Sequence, residues 1–333
     1  MAQTSWAEQA TNRFFDGRKS PSQMQCDEIA QSVSGASTVS PVDSPGSMSY
    51  TVVCNRRHGP PRDLVVSFRE LGAMLDEEMV KLAKKIHGDL VPESAYHGDV
   101  EGADPPLSIY SMPYLRGASY IEVLDCQVEM DPDEEAKHGV LVKHLARYFA
   151  RCLSNPQPVD PKVQAEQQEE IRKRLARLVE ESPSSILLDS MLSKLIESLP
   201  SLFSQDYPQV LTHGDFSVTN ILVDENKFEI TGIVDWSLAA VMPFGMDLDM
   251  LFIASGFMTR RGWHDYACKP LLQDTFWNEF WAVSGIKGEQ HRGRNWRAHW
   301  GLEGSVWPMA VYRSGPILSF ASFGSSGFGH LTY

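Results

Sequence analysis

The sequence predicts an α+β chain with a small strand-rich N-terminal lobe and a larger helical C-terminal lobe. Three observations carry this prediction. The 333 residues exceed the usual size of a single core. β-rich runs dominate up to about residue 117, and helical spacing dominates from about residue 118. Hydrophobic content of 42% and aromatic content of 10% suffice for a sizeable core and exclude a disordered chain.

The elements follow in order. A weakly amphipathic segment predicts a helix around Trp6 to Phe15, and CDEIAQSVSG (26–35) has helical spacing through Ile29 and Val33, ending at a glycine. ASTVSPVDSPGSMS (36–49) is rich in Ser, Pro and Gly and reads as loop. SYTVVCN (49–55) and DLVVSFRE (63–70), separated by RRHGPPR, predict a hairpin with a long loop. LDEEMVKLAKKIHG (75–88) predicts an amphipathic helix with Leu75, Met79, Leu82, Ala83 and Ile86 as its stripe and Gly88 at its end. PLSIYSMPYLRG (106–117) predicts a strand running into a turn. Helices are expected at 133–153, 163–181, 185–199, 270–284 and 290–303, interrupted by a strand pair at about 220–235.

Charge and cysteines exclude several classes. A net charge of −13 argues against nonspecific nucleic-acid binding, which needs a basic face. The five scattered cysteines form no CxxC pair, so neither a zinc site nor a disulfide framework is expected. No long apolar run suggests a membrane span or a signal segment. The expectation is a soluble, cytoplasmic protein. No feature of the sequence sets an oligomeric state.

LTHGDFSVTNILVD (211–224) and EITGIVDW (229–236) carry the chemistry. Strands are depleted in Asp and Asn, and an unpaired carboxylate in apolar surroundings is costly, so Asp215, Asn220 and Asp235 need either structural hydrogen bonds or a bound metal. If ILVD and EITGIVDW pair as a hairpin, the start of the first strand meets the end of the second, making Asn220 and Asp235 neighbours. One oxygen from each suits a hard cation such as Mg²⁺. Asp215, one loop earlier, is then placed to accept a proton from an incoming hydroxyl, which with a metal at phosphate is most of what phosphoryl transfer requires.

HGDFSVTNILVD followed by GIVDWS resembles the catalytic and metal-binding segments of the aminoglycoside phosphotransferase and choline kinase superfamily. The match falls on His213, Gly214, Asp215, Asn220, Asp235 and Trp236. The resemblance implies a protein-kinase-like fold in which Asp215 is the catalytic base, Asn220 and Asp235 hold Mg²⁺, and His213 braces the loop. It further implies that Gly46, Ser47 and Ser49 cover the phosphates of ATP and that the backbone around Met112 to Tyr114 binds adenine. Residues 1–25 are then an extension, 26–117 the nucleotide-binding lobe with its hinge, and 118–333 the helical lobe with the catalytic loop, metal site and acceptor region. SYTVV and VVSFRE, with CDEIAQSVSG ahead of them, look most like the fungal branch.

One departure stands out. The family's phosphate-gripping lysine falls at Ser67, and Arg69, on the same strand face, is the candidate replacement, with Glu77 or Glu78 as its partner. Asp247 is expected to tie the catalytic loop to the helical lobe, and Asp249 is open as an acidic substrate contact. Among the late tryptophans, Trp277 and Trp281 share a helix face, as do Trp296 and Trp300. Core packing is the favoured reading, an aromatic acceptor pocket the sharper one. Glu279 and HRGRNWR (291–297) are candidate charged contacts. The expected activity is an ATP-dependent phosphotransferase acting on a small-molecule hydroxyl. The alternative is a degenerate relative that binds a ligand or partner, or uses the acidic site for another reaction.

Overall fold

The structure is a computed structural model and describes residues 5–55, 64–124, 126–181, 186–259 and 261–285. In chain order, α1 (Trp6–Phe15) and α2 (Gln23–Ser34) precede strands β1 (Thr38–Pro41), β2 (Ser49–Asn55) and β3 (Leu64–Glu70). Helix α3 (Glu77–His87) leads to β4 (Ala95–Asp99), β5 (Leu107–Pro113), β6 (Ala118–Ser119) and the short α4 (Tyr120–Val123). Then come α5 (Pro132–Ser154), α6 (Pro161–Glu181), α7 (Ile186–Leu202) and strands β7 (Gln209–Thr212), β8 (Ile221–Val223), β9 (Ile230–Ile233) and β10 (Ala240–Pro243). Helix α8 (Asp249–Ile253), the hairpin β11 (Gly256–Thr259) and β12 (Gly262–Asp265), and α9 (Lys269–Val283) complete the order. The loop at 56–62, the helix expected at 290–303, Trp296, Trp300 and the HRGRNWR run lie outside the described residues.

The chain divides into two compact units. The first holds the described residues up to Glu122 with Thr219–Glu225 and Ile230–Leu238. The second holds Val123–Val218, Asn226–Glu229 and the described residues from Ala239 on.

The first unit is built on an antiparallel sheet of order β1-β2-β3-β5-β4. Its central strands are buried on both faces, which is why SYTVVCN and LVVSFRE read as nearly continuous apolar runs. α2 begins at a Ser22–Gln25 capping box and ends at Gly35 in the left-handed region. It buries Cys26 and Ala30 against Tyr50, Val52, Val66 and Phe68. Residues 38–41, expected to be loop, instead pair with β2 from Thr38↔Asn55 to Pro41↔Val52. Tertiary pairing overrides weak local propensity there, and the Pro sits on an edge strand, where no ladder donor is needed. β4 has no counterpart among the expected strands. Helix α3 forms from Asp76, whose carboxylate caps the N–H groups of Glu78 and Met79, but its innermost residues are Val80, Ala83 and His87. The buried stripe is thus rotated from the expected one, with Leu82 and Ile86 only half-buried.

In the second unit the N–H groups of Asp133 and Glu134 are capped by Asp131, starting the long helix α5 with Pro132 in its first turn. α5 packs on α9 through Phe149 and Phe276, whose rings lie 6.0 Å apart. A second core joins α6 and α7 through Ile171, Leu175, Leu192 and Leu195 to Met242 and Met246. Trp277 is buried and stacks with Trp281 at 6.0 Å, and Trp263 stacks on Phe252 at 4.4 Å, so these three tryptophans serve packing. None of the five cysteines is in a disulfide, and no helix among the described residues is long and apolar enough to cross a membrane.

Candidate active site

The expected hairpin forms. β8 and β9 pair antiparallel with Ile221 opposite Ile233, and the Val234 N–H donates to the Asn220 carbonyl at 2.9 Å. This last rung pairs Asn220 with Val234, the residue before Asp235, and so brings Asn220 and Asp235 to the same end of the hairpin although loop and turn separate them in sequence. Asn220 is buried. Asp235 turns the chain out of β9 with φ of 63°, a left-handed conformation that Asp tolerates better than most residues. Trp236, buried behind it, donates its indole N–H to the Ile233 carbonyl at 2.9 Å and lies against the His87 ring of α3. That turn is therefore pinned on its apolar side.

Arg69 reaches Asp235. Its Nη1 donates to Asp235 Oδ1 at 2.7 Å and to the Ala73 carbonyl at 3.1 Å. Ser237 donates its hydroxyl to the same Asp235 oxygen at 3.0 Å, a contact whose only trace in the sequence is the Asp-x-Ser spacing. The expected partners of Arg69 are engaged elsewhere: Glu77 and Glu78 both pair with Lys81, one turn along α3. That local i,i+3 and i,i+4 arrangement is available to exposed glutamates without any long reach. Ser67 is fully buried and shares a 2.8 Å hydrogen bond with Thr51, whereas Arg69, two residues on, extends to the hairpin. The arginine is 5% exposed, and its Nε–H is buried with no acceptor. An orphaned donor on a buried cation is the kind of group an anionic ligand satisfies.

Ser49 opens β2 directly opposite Arg69 in register, and a side chain on Gly46 would come within 3.0 Å of the Ser49 hydroxyl oxygen. Gly46, Ser49 and Arg69 thus gather at one end of the β2–β3 ladder, with Ser47 exposed in the loop between. The β4–β5 pairing runs only as far as Ala95↔Ser111, so Met112 and Tyr114 lie beyond its end, at the start of the connector. The connector closes on Gly117, where φ is +129° and a Cβ would stand 2.8 Å from the Val223 carbonyl oxygen, leaving no room for a side chain.

Asp215 belongs to the second unit, just past β7. It is exposed, but both neighbours are buried: Gly214 at φ +80°, and Phe216, stacked on Tyr148 at 4.5 Å. Asp247 accepts hydrogen bonds from the backbone N–H groups of His213 at 2.6 Å and Gly214 at 3.3 Å, which is the tie expected of it. Burial pushes the Asp247 carboxyl above its ordinary range, opposed by the His213 ring and those two donors. His213 is fully buried and its Nδ1 accepts the Asp215 N–H at 3.3 Å, bracing the loop. Asp249 is buried at the start of α8, and Glu279 is ion-paired with Arg147 at 2.6 Å. Among the described residues no three His, Cys, Asp or Glu side chains gather as a metal cage.

The sequence profile of the phosphotransferase enzyme family matches residues 52–272, more than half of the chain. The chain belongs to the phosphotransferase enzyme family. Within this family match lie Arg69, Met112, Tyr114, Asp215, Asn220 and Asp235, whereas Gly46, Ser47 and Ser49 fall just ahead of it. Among solved structures the chain is similar to aminoglycoside 2'-phosphotransferase-IIIa in its GDP complex, with 15% identity over 92% of this chain and 96% of that one and a TM-score of 0.54. It is also similar to the aminoglycoside phosphotransferase APH(3'')-Id from Streptomyces rimosus ATCC10970 in complex with ADP and streptomycin, with 15% identity over 86% of this chain and 100% of that one and a TM-score of 0.50. These likenesses establish the fold as the two-lobed, protein-kinase-like one. No curated protein sequence matches the chain.

Proposed function

We propose that this phosphotransferase moves the γ-phosphate of ATP to a hydroxyl of a small molecule, with Asp215 as the base and Asn220 and Asp235 as the Mg²⁺ ligands. The observation that supports the reading is the Val234–Asn220 rung, which brings the amide-bearing Asn220 and the carboxylate-bearing Asp235 to the end of one hairpin. Two oxygen donors of this kind fit Mg²⁺, which prefers hard ligands and keeps waters and phosphate oxygens in its remaining positions. When bound, the ion neutralises charge on the phosphates. Arg69 grips the same phosphates through a guanidinium whose orphaned Nε–H needs an acceptor. Ser49 and the backbone of the Gly46–Ser47 loop donate to phosphate oxygens, and the main chain of Met112 to Tyr114 takes the adenine. Asp215, held out by its buried neighbours, orients the acceptor hydroxyl and takes its proton as the oxygen attacks phosphorus.

A second reading is favoured by one observation: Arg69 is already ion-paired with Asp235. If that pair persists in the presence of nucleotide, the carboxylate is committed and the chain binds a ligand or partner without transfer. The two readings part in one experiment. The protein is incubated with Mg²⁺ and ATP, or GTP, and a panel of aminoglycosides, amino alcohols, sugars and other hydroxyl compounds, and products are followed by mass spectrometry. Gain of one phosphate on an acceptor is expected. Nucleotide binding with no phosphorylated acceptor across a broad panel supports the second reading.

A further inference from the structure

β3 ends on two adjacent ionic residues that alternation sends to opposite faces of the strand. Arg69 turns towards Asp235, and Glu70 turns to Arg18, between α1 and α2. Arg18 is built in from several sides. Its side chain is 3% exposed, its guanidinium sits 4.6 Å from the centre of the Phe14 ring, and it donates to the Pro105 carbonyl at 2.9 Å as well as to the Glu70 carboxylate. One arginine thereby knots α1, the turn between β4 and β5, and the last residue of β3. The backbone reinforces the knot: Asp104 N–H donates to the Ser20 carbonyl at 2.9 Å.

Glu70 has a second duty. Its N–H donates to the Met48 carbonyl at 3.1 Å, and Met48 lies between Ser47 and Ser49. The residue Arg18 holds is therefore bonded to the loop that covers the phosphates and is covalently next to the arginine that grips them. Loosening Glu70 frees the end of the β2–β3 ladder, where Ser49 and Arg69 stand opposite each other.

We propose that Arg18, which lies ahead of the family match, is a positioning residue for nucleotide binding, setting Arg69 and the Gly46–Ser49 loop through Glu70. The inference rests on the phosphate-binding reading of Arg69. A peripheral arginine that only stabilises the fold would lower the melting temperature without coupling to Arg69.

The test is a double-mutant cycle on the full chain: Arg18→Met, Arg69→Met and both together, with ATP and Mg²⁺ as the probe in isothermal titration calorimetry. Arg18→Met should weaken ATP binding about tenfold, and the double variant should bind no more weakly than Arg69→Met alone. Arg18→Lys, which keeps charge and aliphatic stem, should recover part of the loss, and it replaces Arg18→Met in the cycle should that variant fail to fold. Unchanged ATP affinity in the folded Arg18 variant, or losses that simply multiply, overturns the inference. A wild-type protein that binds no ATP overturns the nucleotide reading and this inference with it, whereas a binding wild type with an indifferent Arg18 overturns this inference alone.

Discussion

Asp215 and Asp235 have separable duties on the proposed reading, so their variants should differ in kind. Asp215→Asn keeps the side-chain shape and loses the base; turnover should fall by about 10²- to 10⁴-fold while ATP binding stays near wild type, checked by steady-state kinetics beside calorimetry. Asp235→Ala should also weaken Mg·ATP binding, and it strands Arg69, a 5% exposed cation, without its carboxylate. Retention of most turnover in Asp215→Asn would remove the base assignment. Asp247 acts differently, through the backbone. Asp247→Ala leaves the N–H groups of His213 and Gly214 without their acceptor, an expected loss of about 1–3 kcal/mol for each group left buried, read by urea unfolding. Its raised carboxyl also has a signed consequence. The folded state holds this proton more tightly than the unfolded chain does, so the contribution of Asp247 to stability falls as pH climbs from the ordinary carboxylate range through the raised value. Asp247→Asn should lack that falling segment when unfolding free energies are compared from acid to neutral pH.

At the scale of the element, the β8–β9 hairpin is the unit that matters, and the connector is fitted to it. A Cβ at Gly117 would stand 2.3 Å from Thr231 Oγ1 and 2.8 Å from the Val223 carbonyl oxygen, one on each strand of the hairpin. Neither backbone nor left-handed φ can yield cheaply, so Gly117→Ala should destabilise the fold by more than the roughly 1 kcal/mol typical of a point substitution. Thermal denaturation measures it, and a melting temperature equal to wild type would show that the connector can shift away. The hairpin itself is legible in ILVD and EITGIVDW because both strands are apolar, short and joined by polar turn residues. β1 is not, since Thr38–Pro41 owes its strand conformation to pairing with β2 and not to composition. The rotation of the α3 stripe has a similar origin: periodicity marks an amphipathic helix, but Val80 and His87 are innermost because of what they face, with His87 against Trp236.

For the molecule as a whole, a ligand that binds only the folded chain must stabilise it by mass action. ATP with Mg²⁺ at a hundred times its dissociation constant should add about 2.7 kcal/mol, visible as a raised melting temperature, and ATP without the metal should add less. No shift at millimolar nucleotide would sink the phosphotransfer reading at its root. The sequence by itself made the strands β2, β3, β5, β8 and β9 and the helices α1, α2, α3, α5, α6, α7 and α9 legible and singled out Asp215, Asn220 and Asp235 as candidates, because periodicity and spaced motifs are properties of the chain read locally. Only the tertiary structure decided the partner of Arg69, which is Asp235, 166 positions away along the chain, and not the nearby glutamates of α3. It alone also decided that Arg18 and Glu70 meet. The physical reason is the same in both cases. A buried guanidinium must be matched by whichever carboxylate the packing delivers, and delivery depends on strand register and on contacts remote in sequence, neither of which any local window of residues encodes.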